Sequence, residues 1–281
     1  MTAGPHSGTN RTGHMQYATN DGVRLAYKRT GPTHAPTVAF VEGIGYGRWM
    51  WRWQRRALDD TYDTIVWDNR GTGDSDVPEG PYTMTQMASD LAAVLDAAGV
   101  DDAHVVGASM GGMVAQQFAL EYDRARSLTL MCTSPGGPEA VPVPEATRER
   151  LFDVPEDYDE RESRRYKMAT AMTESFMTDN EALVERIIDW RLESDAGDRA
   201  LVWQNAAVEA FDVSDRLGEI RVPVLLLHGT ADRVVPIENG ELLAAGLPDA
   251  EFVRFEGAPH LLFVEAADRV NEHLREFLAD D

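Results

Sequence analysis

The chain has one cysteine, Cys132, in 281 residues. No internal disulfide can form, and a single thiol suits a reducing compartment, so the protein is expected to be cytoplasmic. Lysine is almost as scarce. Lys28 and Lys167 are the only two among 26 basic residues, and the remainder are arginine. Those 26 stand against 48 acids, for a net charge of −22. So negative a field repels phosphate backbones and anionic lipid headgroups, which argues against nucleic-acid and membrane partners. No run approaches the roughly 18 apolar residues of a membrane-spanning helix. Residues 1–14 are small and polar, with no basic stretch leading into an apolar one. They are expected to form a loose tail and not a secretion signal.

Excess acid with almost no lysine is the composition of salt-adapted proteins. A GC-rich genome would also exchange lysine for arginine, but it would not by itself produce −22. Salt adaptation is therefore the favoured reading.

What remains is ordinary globular material. Hydrophobic residues make up 43% of the chain and charged residues 26%, enough for a sizeable core and incompatible with general disorder. Residues 15–18 and 23–27 flank Asn20-Asp21-Gly22, a hairpin signal. Short, nearly continuous apolar runs follow at 37–41, 64–67, 104–106, 128–132, 222–227 and 252–255. Such runs fit parallel strands buried on both faces. Helical patterns separate them at about 49–58, 83–98, 111–121, 239–245 and 262–278. In the last, Val270, Leu274, Phe277 and Leu278 fall on one stripe. The alternation predicts an α/β fold with a mostly parallel sheet. It fails between 136 and 215, where prolines give way to charge-dense helical sequence without a strand candidate. The expected organisation is a core of 15–135 and 216–281 with a helical cap of 136–215, which would roof a site at the carboxyl ends of the strands.

Gly107-Ala108-Ser109-Met110-Gly111 is a G-x-S-x-G sequence lying between a strand and a helix. A turn that tight leaves no room for side chains at 107 and 111, and it lifts the Ser109 hydroxyl clear of the sheet. A serine needs a base to take its proton, and the base needs an orienting carboxylate. Of seven histidines, His260 is the one in a loop after the last strand, whereas His228 suits packing or loop ordering. Asp232 follows the preceding strand. Ser109, Asp232 and His260 thus each follow a different strand, in the order Ser, Asp, His.

With the segment Asp68-Asn69-Arg70-Gly71-Thr72-Gly73 and the run Leu227-His228-Gly229, these residues resemble the α/β-hydrolase superfamily from about 23 to 278, the cap apart. The nearest likeness is to enol-lactone hydrolases and small methyl esterases. The resemblance implies an eight-stranded sheet, a helical cap, and neither metal nor organic cofactor. It also implies that Arg70 belongs to a structural loop and is not catalytic.

The oxyanion hole is expected to use the backbone N–H groups of Met110, at a helix start, and of Ile44. Where the family usually has His-Gly, this chain has Glu42-Gly43-Ile44-Gly45. A carboxylate there would oppose an oxyanion unless paired, and Arg48 and Arg70 are the candidate partners. Gly43-x-Gly45 also imitates the start of a dinucleotide-binding loop, but the third glycine position is occupied by Arg48. Trp49, Trp51, Trp53, Trp190 and Trp203, with Met168, Met172 and Met177, read mainly as core.

The expected activity is hydrolysis of a small-molecule carboxylic ester or lactone through an acyl-enzyme, with a mostly apolar acyl or alcohol moiety. A carbon–carbon hydrolase, acyltransferase or perhydrolase could use the same triad. A binding protein that keeps the fold with little turnover is the alternative from another class.

Overall fold

A computed structural model describes residues 10–279. Asp21 and Gly22 both take positive φ, 48° and 81°, as a two-residue hairpin turn requires. They join β1 (Asn10–Asn20) to β2 (Val23–Pro32) in antiparallel pairing. The register slips between Thr12 and Met15, beside Gly13 at φ 67°. Residues 10–14, assigned to the tail on composition, are therefore strand. The rest of that segment, 1–9, lies outside the described residues.

The remaining strands are β3 (Thr37–Val41), β4 (Asp63–Trp67), β5 (Ala103–Ala108), β6 (Ala125–Met131), β7 (Val224–Gly229) and β8 (Ala250–Phe255). They form one eight-stranded sheet in the order β1-β2-β4-β3-β5-β6-β7-β8. From β4 onward every pairing is parallel. Strands β3, β4, β5 and β7 are buried along their whole length, which is why their sequences are unbroken apolar runs. Successive side chains still divide between faces. Ala39 and Val41 enter one core, Val38 and Phe40 the other.

Helices cover both faces. On one lie α2 and α3, after α1 (Arg52–Leu58) in the chain: α2 is Met84–Ala98 and α3 is Met110–Glu121. Thr83 and Gln86 form a reciprocal capping box at the start of α2, and Gly99 ends it at φ 65°. Between the adjacent parallel strands β6 and β7 the chain runs through α4 (Glu145–Phe152), α5 (Glu160–Met168), α6 (Glu174–Asp179), α7 (Glu181–Ser194) and α8 (Asp198–Glu209). This insertion contributes no strand to the sheet. Its ends meet, since the Val213 N–H donates to the Pro135 carbonyl at 2.9 Å.

After β7 comes α9 (Glu238–Gly246). The chain closes with α10 (Leu262–Glu265) and α11 (Ala267–Ala279), which pack with α1 on the second face. The pattern read as one helix over 262–278 is thus broken at Ala266, whose φ of −112° is not helical. Val270, Leu274 and Leu278 do form the buried stripe of α11.

Candidate active site

The carboxyl ends of β3, β5, β7 and β8 deliver the four segments that matter. Ser109 sits between β5 and α3 with φ 52° and ψ −121°, a conformation a side-chain-bearing residue adopts only under constraint. The constraint is visible. A Cβ on Gly107 would overlap the Gly111 carbonyl, and one on Gly111 would overlap the carbonyl of Val41. The Ser109 N–H donates to the Met131 carbonyl at 2.9 Å, and its own carbonyl accepts from Thr133 Oγ1 at 2.7 Å. The elbow is therefore anchored to the last residue of β6 and to Thr133 just beyond it.

Loops after β7 and β8 bring Asp232 and His260 together. His260 Nδ1 lies 2.7 Å from Asp232 Oδ2, with both residues buried. Asp232 Oδ1 accepts from the Val234 and Val235 N–H groups at 2.8 and 2.9 Å. Burial alone would raise this carboxyl's pKa. The charge and hydrogen bonds offered by His260 and His228 outweigh burial and hold it well below the usual carboxylate range. Asp232 is thus an ionised acceptor, which fixes Nδ1 as the nitrogen of His260 that donates to it and leaves Nε2 as the ring nitrogen the carboxylate does not engage. His228 Nε2 sits 2.8 Å from the Val235 carbonyl and 3.5 Å from Asp232 Oδ2, the loop-ordering role its position suggested. Ser109 Oγ has no hydrogen bond to His260 or to any other described residue.

Met110 is the first residue of α3, where a backbone N–H has no intrahelical acceptor. Ile44 lies on the loop after β3. The same loop packs on the elbow, since a Cβ on Gly43 would stand 3.6 Å from Ser109 Cβ. Among the described residues no acceptor pairs with the N–H of Met110 or of Ile44. Backbone donors of this kind are what an oxyanion hole is built from.

The expected arginine partner for Glu42 is not there. Arg48 pairs with Asp68 and with Asp74, and Arg70 makes a bidentate pair with Asp90 at 2.6 and 2.7 Å. Glu42 is fully buried, and neither carboxyl oxygen has a hydrogen-bond partner among the described residues. Burial, helped by the Asp68 charge, pushes its pKa well above the usual value, against the weaker pull of nearby backbone N–H groups and Arg48. A neutral carboxylic acid resolves the problem that a carboxylate beside the hole would pose. Arg70, tied to Asp90, is structural.

Two residues near the site were not read from the sequence as belonging to it. Cys132, at φ 47° directly after β6, has its sulfur within 4.8 Å of ligand atoms of Asp232 and His260. Those three are the only group of potential metal ligands among the described residues, but the carboxylate and imidazole are already bonded to each other. Burial keeps the thiol protonated, with the Asp232 charge adding to the effect. Gln204, on α8, is fully buried against the loop after β3. Neither residue stands in a motif, so only the fold reveals them.

Comparison with known proteins bears on the family and the fold. The sequence pattern of the family described as alpha/beta hydrolase fold matches residues 36–267. A protein of Azorhizobium caulinodans, named carbamate hydrolase RutD as a provisional assignment, is 32% identical over 95% of this chain and 99% of its own. The 2-hydroxy-6-oxononadienedioate/2-hydroxy-6-oxononatrienedioate hydrolase of Paraburkholderia phymatum is 33% identical over 91% of each chain. The solved enol-lactonase of Burkholderia xenovorans LB400 superposes with a TM-score of 0.82 at 26% identity, over 94% of this chain and all of its own.

Proposed function

The chain belongs to the alpha/beta hydrolase fold family, and from that premise we propose that it is a serine hydrolase of a carboxylic ester or lactone. The observation that carries the reading is the 2.7 Å bond from His260 Nδ1 to an ionised Asp232, which leaves Nε2 to serve the elbow serine. Ser109 Oγ attacks the carbonyl carbon, and His260 Nε2 takes the hydroxyl proton. The tetrahedral oxyanion lies between the Ile44 and Met110 N–H groups. Collapse breaks the C–O bond, and His260 returns the proton to the leaving alkoxide. Water, deprotonated by the same nitrogen, then hydrolyses the acyl-enzyme. The three catalytic roles are our reading, supported by the His260–Asp232 bond and by the turn that carries Ser109, and the step sequence as written uses neither a metal nor an organic cofactor.

One relative favours a second reading, in which the same triad cleaves a carbon–carbon bond beside a carbonyl, as the name of the Paraburkholderia phymatum enzyme suggests. A panel of aryl and alkyl esters, enol-lactones, carbamates and vinylogous 1,5-diketones decides between them. Ester or lactone turnover exceeding diketone turnover by at least tenfold in kcat/KM is expected. The reverse order would replace ester hydrolysis by carbon–carbon hydrolysis.

A further inference from the structure

The Ile44 N–H is only as well aimed as the loop that carries it. Residues 42–47 lie in neither helix nor strand, so their direction depends on what holds the neighbouring peptides. The peptide before it is held from within the loop: the Gly43 carbonyl accepts from the Tyr46 N–H at 3.2 Å. A trans peptide is planar, so fixing that carbonyl points the Ile44 N–H the opposite way.

The peptide after it is held by the helical insertion. Its Gly45 N–H donates to Gln204 Oε1 at 2.8 Å, and in the next peptide the Gly45 carbonyl accepts from the Ala196 N–H at 2.8 Å. Gln204 Nε2 donates to the Arg70 carbonyl at 2.9 Å and to Thr72 Oγ1 at 3.0 Å. The amide thus has its oxygen and both N–H groups engaged. Its orientation is unambiguous, because reversal would set an NH2 against the Gly45 N–H. Two further ties run the same way. Asp195, just past α7, accepts from the Gly47 N–H at 3.3 Å and from Trp49 Nε1 at 2.8 Å, while Arg191 of α7 holds its other oxygen at 2.7 Å.

We propose that Gln204 is a positioning residue of the oxyanion hole. It locks the peptide that follows Ile44 to the Arg70–Thr72 loop of the core, so that the hole is complete only while α8 of the cap is seated. This rests on Ser109 as nucleophile and on Ile44 as an oxyanion donor. Gln204 touches neither substrate nor reacting atoms; it acts through the direction of one N–H group. The arrangement couples cap seating to acylation chemistry, and not only to substrate entry.

The test compares Gln204→Leu and Gln204→Glu with the wild type, using p-nitrophenyl acetate and a fluorophosphonate probe. Rates are expressed per labelled active site, so that unfolded protein does not count. Gln204→Leu is expected to lower kcat and the phosphonylation rate about 10- to 100-fold, short of the 100- to 1,000-fold typical of deleting an oxyanion donor. KM should stay within about twofold, and the acidic limb of the pH profile should not move. Gln204→Glu keeps the acceptor for Gly45. In so buried a site its carboxyl starts neutral and can donate to Arg70, so it should recover most of the rate at low pH. That rate should fall at alkaline pH, as the carboxylate comes to face a carbonyl, giving a limb the wild type lacks. Damage to the fold alone would lower the labelled fraction without creating such a limb. If Gln204→Leu acylates at the wild-type rate per site, the inference is overturned while the serine mechanism stands. If Gln204→Leu does not fold, the Gln204→Glu profile decides, and one superimposable on the wild type overturns the inference. A wild type whose Ser109 takes no label overturns both.

Discussion

At the scale of single residues, Glu42 is the one whose environment most departs from sequence expectation. Its pKa is raised in the folded protein above the ordinary value of 4.5, so between the two values the folded state binds more protons than the unfolded chain. Its contribution to stability is intact below about 4.5 and is lost as pH rises through the folded value, at up to about 1.4 kcal/mol per pH unit. Glutamine has the same shape and never ionises. Glu42→Gln should therefore match the wild type in acid and exceed it increasingly toward alkaline pH, as read by melting temperature from pH 4 to 9. Parallel curves, or a variant that falls behind in alkali, would mean that Glu42 is charged and paired. The sequence could name Arg48 and Arg70 as candidate partners but could not decide between carboxylates. Asp68 and Asp90, not Glu42, win those guanidinium groups.

At the scale of elements, the turn that carries Ser109 is tightly constrained backbone. Any side chain at Gly107 meets the Gly111 carbonyl, which cannot yield without moving the start of α3. Gly107→Ala should cost about 1–3 kcal/mol, the range for forcing extra atoms into a packed site. It should also lower kcat more than it raises KM, because the displaced groups are Ser109 and the Met110 N–H. Denaturant unfolding beside steady-state kinetics reads both, and a fully active, fully stable variant would refute the steric account. Much of this scale was legible. The G-x-S-x-G run, the Asp-Gly hairpin turn and the unbroken apolar strands all act through neighbours a few residues away. What was not legible acts across the fold. Gln204 meets Gly45 from 159 positions away, and Cys132 stands beside Asp232 only because β6 and β7 are adjacent. The break at Ala266 has no glycine or proline to announce it.

At the scale of the whole molecule, charge dominates. The insertion carries exposed pairs such as Arg161 with Glu185 and Asp189, and Arg165 with Glu185, but pairs of this kind contribute little in water. They cannot offset a net charge of −22. Self-repulsion reaches about 30 Å at 0.01 M salt and about 3 Å at 1 M. The unfolded chain spreads the same charge over a larger volume, so dilute buffer penalises the folded state more. Melting temperature should rise from 0.05 M to about 0.5 M KCl, where screening is nearly complete. A continued rise into several molar, larger with sulfate than with chloride, would indicate salt exclusion acting on apolar burial. A flat curve from 0.05 to 2 M would assign the acidity to genome composition.

The central claim is that Ser109 is a nucleophile activated by His260 on Asp232. Intact-protein and peptide mass spectrometry after brief exposure to a fluorophosphonate tests it most directly. The expected result is one adduct per chain, on the peptide carrying Ser109, absent in Ser109→Ala and slowed by orders of magnitude in His260→Ala. In steady state, Ser109→Ala and His260→Ala should each lose roughly four to six orders of magnitude in kcat, and the double variant little more, because the residues act as a unit. An adduct on another residue, or ester hydrolysis by Ser109→Ala near the wild-type rate, would contradict the mechanism.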